Sequence, residues 1–268
     1  MQNVTLGDGT VIRDLAGQQE IADAVRIQEE TWGKGFTERV PGAMFIIAQK
    51  IGGVAAGAFS PQGRLLGFVF GLTGVRNGQL VHWSDMLAVR PEAQGRHVGE
   101  ALKHWQRDCC RERGVVTIYW TFDPFVARNA HLNLNRLGAC VEEFVPNMYG
   151  AFTNSRIHGA LGTDRFIVAW PVNAEPALHR PDRAVLAGAP IVAGSGGRVA
   201  SAPFPDARAV VIRIPRDYEA LLSGDVGHAK AWREAARDAF LHYLPLGYRV
   251  SAFVPDPAGD AAYLLTRD

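Results

Sequence analysis

Residues 85–103, DMLAVRPEAQGRHVGEALK, limit what this chain can fold into more than any other stretch. Met86 to Val89 form an apolar, strand-like run, the turn after it carries proline, glycine and basic side chains, and an amphipathic helix opens at Gly99. A strand is therefore delivered into a helix through a tight loop. The first N–H groups of such a helix have no intrahelical partner and lie at the positive end of its macrodipole, so this loop suits an anion, phosphate above all.

The flanking sequence supplies a framework of alternating elements. Ile21, Ala24, Val25, Gln28 and Trp32 recur at helical spacing after Asp14, and Pro41 to Ile51 reads as a second helix. Val54 to Phe59 and Leu65 to Leu72 are strand-like and joined by the turn residues Pro61-Gln62-Gly63. A strand from Leu80 to Val89 then enters the loop. Its alternation puts His82, Ser84 and Met86 on one face and Trp83, Asp85 and Leu87 on the other. In the next helix Val98, Ala101, Leu102, Trp105 and Cys109 share a face, opposite Glu100, Lys103 and Arg107, and Gly114 ends it. A β-rich run from Val115 to Phe122 follows, and a short helix from about Arg128 closes at Gly138.

The loop Gln94-Gly95-Arg96-His97-Val98-Gly99 resembles the (R/Q)xxGx(G/A) pyrophosphate-binding motif of the GCN5-related N-acyltransferase (GNAT) superfamily. The first and last signature positions match, and His97 replaces the internal glycine. Histidine is among the non-glycine residues enriched at positive φ, so it can hold that turn. WTFDP, RNAHLNLNRLGA, NMYG and DRFIVAW, all between Trp120 and Trp170, are similar to a bacterial group of GNAT-like proteins with a C-terminal extension. The resemblance implies an α/β (α+β) fold, a mixed, mostly antiparallel twisted sheet flanked by helices. It implies direct transfer of an acetyl or other short acyl group, succinyl included, from acetyl-CoA or another acyl-CoA to the amine of a small molecule such as an amino acid. The alternative is a catalytically silent GNAT-fold protein that binds acyl-CoA as a sensor or assembly partner. Leu134 at the family's tyrosine position and His97 in the loop both feed that alternative.

The same resemblance assigns residues. Gln94, Gly95, Arg96, His97, Val98, Gly99 and Glu100 are expected around the CoA phosphates, with Leu87 and Val89 along the cofactor. Asn129 and Asn133, one helical turn apart, would bond the pantetheine arm. A backbone N–H of Leu87 or Ala88 would meet the charge of the tetrahedral intermediate. The attacking amine must be neutral, which calls for a base. Asp85 and Asp123 are the candidate carboxylates, Asp123 placed with the catalytic groups and Asp85 with Trp120 and Arg165 on the substrate side. Arg165 would pair with a substrate carboxylate. With leucine at position 134, Tyr149 is the candidate acid for the departing thiolate. No metal is implied.

Bulk properties fit a cytoplasmic enzyme. The 268 residues are 47% hydrophobic with a net charge of +1 and no clustered Lys/Arg run, which argues against nucleic acid as a partner. No stretch approaches the ~18–20 apolar residues of a membrane span, and no basic-then-apolar leader opens the chain. A homodimer is compatible with the sequence. Cys109, Cys110 and Cys140 are odd in number and suit neither a disulfide framework nor zinc, so they read as reduced packing residues. Prolines at 171, 176, 181, 190, 203 and 205 mark a boundary, giving a GNAT domain over 1–172, a Pro/Ala/Gly-rich connection over 173–207 in which Ala184 to Val192 is expected to form a strand, and a C-terminal αβ unit over 208–268. That last unit carries an internal echo. Laid without gaps over Arg128–Pro146, the run Arg237–Pro255, shifted by 237 minus 128 or 109 positions, repeats arginine, alanine, two leucines, glycine, phenylalanine, valine and proline. It reads as a degenerate half-GNAT unit, because no copy of the phosphate loop precedes it and GSGG at Gly194–Gly197 has no helix after it.

Overall fold

Two corrections to the sequence pattern, at one strand and one helix, shape the first half of the molecule. The structure is a computed structural model describing residues 2–150, 161–175, 183–194, 198–199, 203–255 and 259–267; parts of the Pro/Ala/Gly-rich connection, 176–182, 195–197 and 200–202, lie outside the described residues. Contacts divide the chain into two compact units, one of residues 2–120 with 169–175, the other of 121–150, 161–168 and the described residues from 183 to 267. This division differs from the boundary drawn at the proline-rich stretch.

The first unit begins with β1 (Val4–Thr5), β2 (Val11–Asp14), α1 (Gly17–Trp32), α2 (Gly42–Lys50), β3 (Val54–Phe59), β4 (Leu65–Arg76) and β5 (Gln79–Val89). A single 3-10 turn, Pro91–Ala93, precedes α3 (Val98–Glu112), and β6 (Thr117–Phe122) follows. The strands lie in the order β1-β2-β3-β4-β5-β6. Neighbours are antiparallel except β5 and β6, which run parallel and pair from Val81–Thr117 to Trp83–Tyr119. Helices α1 and α2 bury Ile21, Ala24, Ile27, Phe45 and Ala48 against Phe68, Phe70, Met86 and Ala88 of the sheet. Each fully buried large side chain there contributes about 2 kcal/mol. Gln28 is buried on α1 because both ends of its amide are used: Nε2 donates to Val40 O at 3.2 Å, and Oε1 accepts from Val40 N at 2.8 Å.

The first correction concerns β5. Phe70 pairs with Met86 but Gly71 pairs with Ser84, so Asp85 is the extra residue of a β-bulge. The alternation reverses there. His82 and Ser84 bond to α3, whereas Met86 and Ala88 join the α1–α2 core, and Leu87 and Val89 turn toward Gly99 at the start of α3. The second correction concerns α3, whose expected polar face is buried: Lys103 is 2% and Arg107 7% exposed. Arg107 donates to the carbonyls of Pro171, Val172 and Ala174, and its guanidinium lies over Trp170. The charged end of the side chain thereby caps chain ends that an apolar residue would leave unbonded.

In the second unit α4 (Ala127–Ala130) runs into a π-helical turn, His131–Arg136, followed by β7 (Cys140–Val145) and β8 (Arg165–Pro171). The segment expected as a strand over Ala184–Val192 is instead α5 (Arg183–Gly188) and then β9 (Ile191–Gly194). Next come β10 (Arg198–Val199), β11 (Ala209–Ile214), α6 (Tyr218–Gly224), α7 (Val226–Tyr243), β12 (Arg249–Val254) and β13 (Ala261–Thr266). Asp217 and Asp225 fix the starts of α6 and α7 by accepting from Ala220 N and His228 N, each at 2.9 Å. Here the sequence echo takes shape. The strands order as β6-β8-β7 in one sheet and β11-β13-β12 in the other, so a βαββ motif occurs twice with one connectivity. Under the shift of 247 minus 138, or 109, β7 and β12 have the same bounds, and Gly138 and Gly247 both take positive φ, 68° and 86°. Phe144 and Phe166 of the first copy pack on Phe240 and Tyr263 of the second with ring centroids 4.8–5.5 Å apart. Of the GSGG run, residues 195–197 lie outside the described residues; β10, which follows, pairs antiparallel with β9. No helix among the described residues is long and apolar enough to cross a membrane.

Candidate active site

The strand-loop-helix segment of the first unit is held from several sides. Gln94 Nε2 donates back to Val89 O at 3.0 Å, which turns the chain away from the end of β5. Gly95 (φ 76°) and His97 (φ 59°, ψ 14°) both lie in the left-handed region, and His97 is the residue before α3 begins. Its Nδ1 is 3.1 Å from Glu100 Oε2. Arg96 is ion-paired with Asp8 in the β1–β2 turn, which holds the Asp8 carboxyl at about 2, the hydrogen bond from Arg96 being the main cause. Val98 is buried, and Gly99 faces Leu87 and Val89. All nine residues expected near the cofactor between Leu87 and Glu100 thus sit on one connected strand end, loop and helix start.

Beside this loop β5 runs half-paired. Its ladder with β6 stops at Trp83–Tyr119, while its ladder with β4 continues to Gly67–Val89. Residues 84 to 89, with the Leu87 and Ala88 amides expected at the acyl group, have β4 as their paired neighbour. The bulged Asp85 stands at the head of this stretch. Its side chain reaches solvent, yet crowding by the protein strips enough water from the carboxyl to raise its pKa, and the negative charge of Glu38 adds to the effect.

Between β5 and α3 lies a chain of polar groups that periodicity did not reveal. Thr73 Oγ1 donates to Gly52 O at 2.8 Å and is 3.0 Å from His82 Nδ1; His82 Nε2 is 3.0 Å from Gln106 Nε2; Gln106 Oε1 accepts from Lys103 Nζ at 3.1 Å. Lys103 Nζ also donates to Ser84 Oγ at 2.9 Å and lies 3.8 Å from the centre of the Trp120 ring. The bonds fix the tautomer. The Thr73 hydroxyl hydrogen is used by Gly52, so His82 donates from Nδ1 and accepts at Nε2. Burial, helped by the charges of Lys103 and Arg113, pushes His82 down to about 3, and burial pushes Lys103 down to about 7. Gly71 makes room for the histidine: a Cβ on it would fall 2.3 Å from His82 Nε2. Lysine on an otherwise amphipathic helix reads as solvent-facing, so only the two polar residues His82 and Ser84 on one strand face hinted at this chain.

Trp120, expected on the substrate side, is 6% exposed, with Lys103 on its face and Trp170 edge-on at 6.0 Å. The remaining expected residues belong to the second unit. Asp123 is buried and accepts from Arg233 Nη2 at 2.8 Å and Phe125 N at 2.9 Å, with Arg165 Nη1 at 3.7 Å. Burial alone would raise its pKa, but the two guanidiniums and these hydrogen bonds outweigh it and hold the carboxyl below its usual range. A carboxylate so held is a weak base. Arg165 is likewise spoken for: Nη1 donates to Asp164 O at 2.8 Å, and its guanidinium faces Asp123 and the Tyr149 ring. Asp164 in turn receives Arg237 through two bonds of 2.9 and 3.0 Å. Tyr149 OH is 3.1 Å from Thr121 Oγ1. Asn129 is half-buried on α4, Asn133 is buried in the π-turn, and Leu134 beside it is 1% exposed.

No protein-family model and no curated protein matches the chain. Among solved structures, a GNAT-family protein from Desulfovibrio desulfuricans is similar with a TM-score of 0.50 and 18% identity, over 61% of this chain and 99% of its own. The ribosomal-protein-S18-alanine N-acetyltransferase from Escherichia coli gives a TM-score of 0.47 at 20% identity, over 62% of this chain and 96% of its own. An aminoglycoside 6'-N-acetyltransferase complexed with coenzyme A gives 0.46 at 14%, over 62% and 98%. The mostly antiparallel open sheet flanked by helices matches that of the Desulfovibrio structure, and this chain has the GNAT fold.

Proposed function

We propose that the protein is an acyl-CoA-dependent N-acyltransferase, moving an acetyl or other short acyl group to the amine of a small molecule such as an amino acid. The observation that carries this reading is the half-paired β5 running into a loop with two left-handed residues and then into α3. The loop from Gln94 to Gly99 and the first N–H groups of α3 would take the CoA pyrophosphate, and the open edge of β5 would take the pantetheine arm as an extra strand-like partner. When the amine attacks the thioester carbonyl, charge on the carbonyl oxygen is met by the N–H of Leu87 or Ala88. Asp85 accepts the proton that the amine gives up, a role favoured by its raised pKa and its place at the bulge. The C–S bond then breaks and the thiolate takes a proton from water, since leucine occupies position 134.

The test is release of free thiol from acetyl-CoA and succinyl-CoA in the presence of a panel of amines. Acceleration by one amine supports the enzyme. Saturable CoA binding with no acceleration by any member supports the second reading, a silent acyl-CoA sensor, which the buried Leu134 favours.

A further inference from the structure

We infer that Lys103 is the positioning residue of the acyl site: its ammonium, lodged where the β5–β6 ladder ends, holds the two strands apart and fixes the bulge that carries Asp85. This deepens the acyltransferase reading and rests on it.

The last paired residues are Trp83 and Tyr119, so the first residues past the ladder are Ser84 and Trp120. Lys103 Nζ touches both, 2.9 Å from the Ser84 hydroxyl and 3.8 Å from the Trp120 ring centre. Its third direction is taken by Gln106 Oε1 at 3.1 Å. Every hydrogen bond in the line from Gly52 through Thr73, His82 and Gln106 has a defined donor, and the line ends on the ammonium, so the direction of Nζ is fixed. Ser84 immediately precedes the bulged Asp85, and Lys103 lies one helical turn past Gly99. One side chain therefore sets the spacing between the phosphate end of α3 and the base on β5. A methionine or leucine would fill the same volume without the desolvation penalty of a buried charge. The groups facing Lys103 are Ser84 and, through Gln106, neutral His82 on β5, Trp120 on β6, and Cys110 on α3; among the described residues no carboxylate pairs with it. A buried amine kept at this point, charged below about pH 7, is explained by the position it holds.

The test uses Lys103→Met, Lys103→Arg and Ser84→Ala in the full chain. Lys103→Met and Ser84→Ala should each lower kcat ~10- to 100-fold, the scale expected for a displaced reacting group, while protection by CoA in thermal unfolding stays near wild type. Lys103→Arg, which stays protonated, should keep most of the rate and lose any limb of the wild-type pH profile that follows deprotonation of Lys103. Independently of turnover, amides 84–88 should exchange hydrogen faster in Lys103→Met and Ser84→Ala than in the wild type, and Trp120 emission should titrate in the wild type but not in Lys103→Met. A folded Lys103→Met or Ser84→Ala with wild-type kcat, or with unchanged exchange over 84–88, overturns the inference. If the wild type acylates no amine, the acyltransferase reading falls by itself, and the exchange and emission data still decide whether Lys103 holds the strands.

Discussion

An alanine at position 99 would meet only ordinary contacts, with Val89 and Leu87 methyls at 3.6 and 3.8 Å, so steric crowding within the protein does not forbid a side chain there. Gly99→Glu should therefore fold normally and yet lose CoA protection in thermal unfolding, because it sets a negative charge against the pyrophosphate; undiminished protection would mean that the cofactor lies elsewhere. Asp85→Asn should lower kcat by ~10²–10⁴-fold, the usual size of a general-base effect. The wild type should lose activity as pH falls through the raised pKa of Asp85, where the carboxyl gains a proton and can no longer accept one, and the variant should lack that acidic limb in kcat/KM against pH. Lys103 makes an opposite, thermodynamic signature. Its pKa near 7 in the folded chain lies below the ~10.4 of an unfolded lysine, so between those values the unfolded state holds the extra proton and stability rises with pH. Urea midpoints of the wild type, measured against Lys103→Met, should climb from about pH 7 to about pH 10 and stay level below. A flat difference would mean that Lys103 is not buried as a charge. The Cys109 and Cys110 thiols, pushed up to about 12 by burial, stay protonated, so replacing all three cysteines should leave turnover per folded molecule intact, as steady-state assays would show. Cys140, read from sequence as packing, is exposed on β7.

Elements carry interactions that single residues do not announce. Helix α7 brings Arg233 and Arg237 to Asp123 and Asp164, so the second βαββ copy is fastened to the first by buried charges. Arg233→Met should destabilise by about 3 kcal/mol in urea unfolding, since it leaves Asp123 a buried carboxylate with Arg165 alone, at 3.7 Å. A loss under about 1 kcal/mol would place this network among the weak, solvent-screened pairs. None of this was legible in the sequence, because the partners are 110 positions apart, as from Asp123 to Arg233, and neither local spacing nor amphipathicity encodes such a pairing. What periodicity could reach, it reached: α1, α2, β3 and α3 lie where the apolar repeats put them, and the loop with its αL His97 lies where glycine and charge marked it. It failed at Asp85, since a bulge adds one residue without changing composition and yet reverses which side chains face which layer. It failed again at Lys103, since burial of a charge depends on His82, Gln106 and Trp120 arriving from other elements.

At the scale of the whole molecule, a chain ending near Val172 would keep Phe144 and Phe166 but lose Phe240 and Tyr263, which cover them, and would strip Arg233 from Asp123. Such a chain should aggregate, by light scattering, while any soluble fraction keeps its CoA protection, because the loop and α3 belong to the other compact unit. A truncated protein as stable as the full one would show the extension to be independent. The twofold βαββ pattern has a kinetic corollary. Strands β7 and β12 have equal length, follow glycine-terminated helical turns, share phenylalanine and valine at matching places, and are each followed by proline. A refolding chain thus meets the same strand pattern twice, and if β12 can seat where β7 belongs, stopped-flow refolding should show a slow phase, set by unpairing, that substitutions in β12 remove.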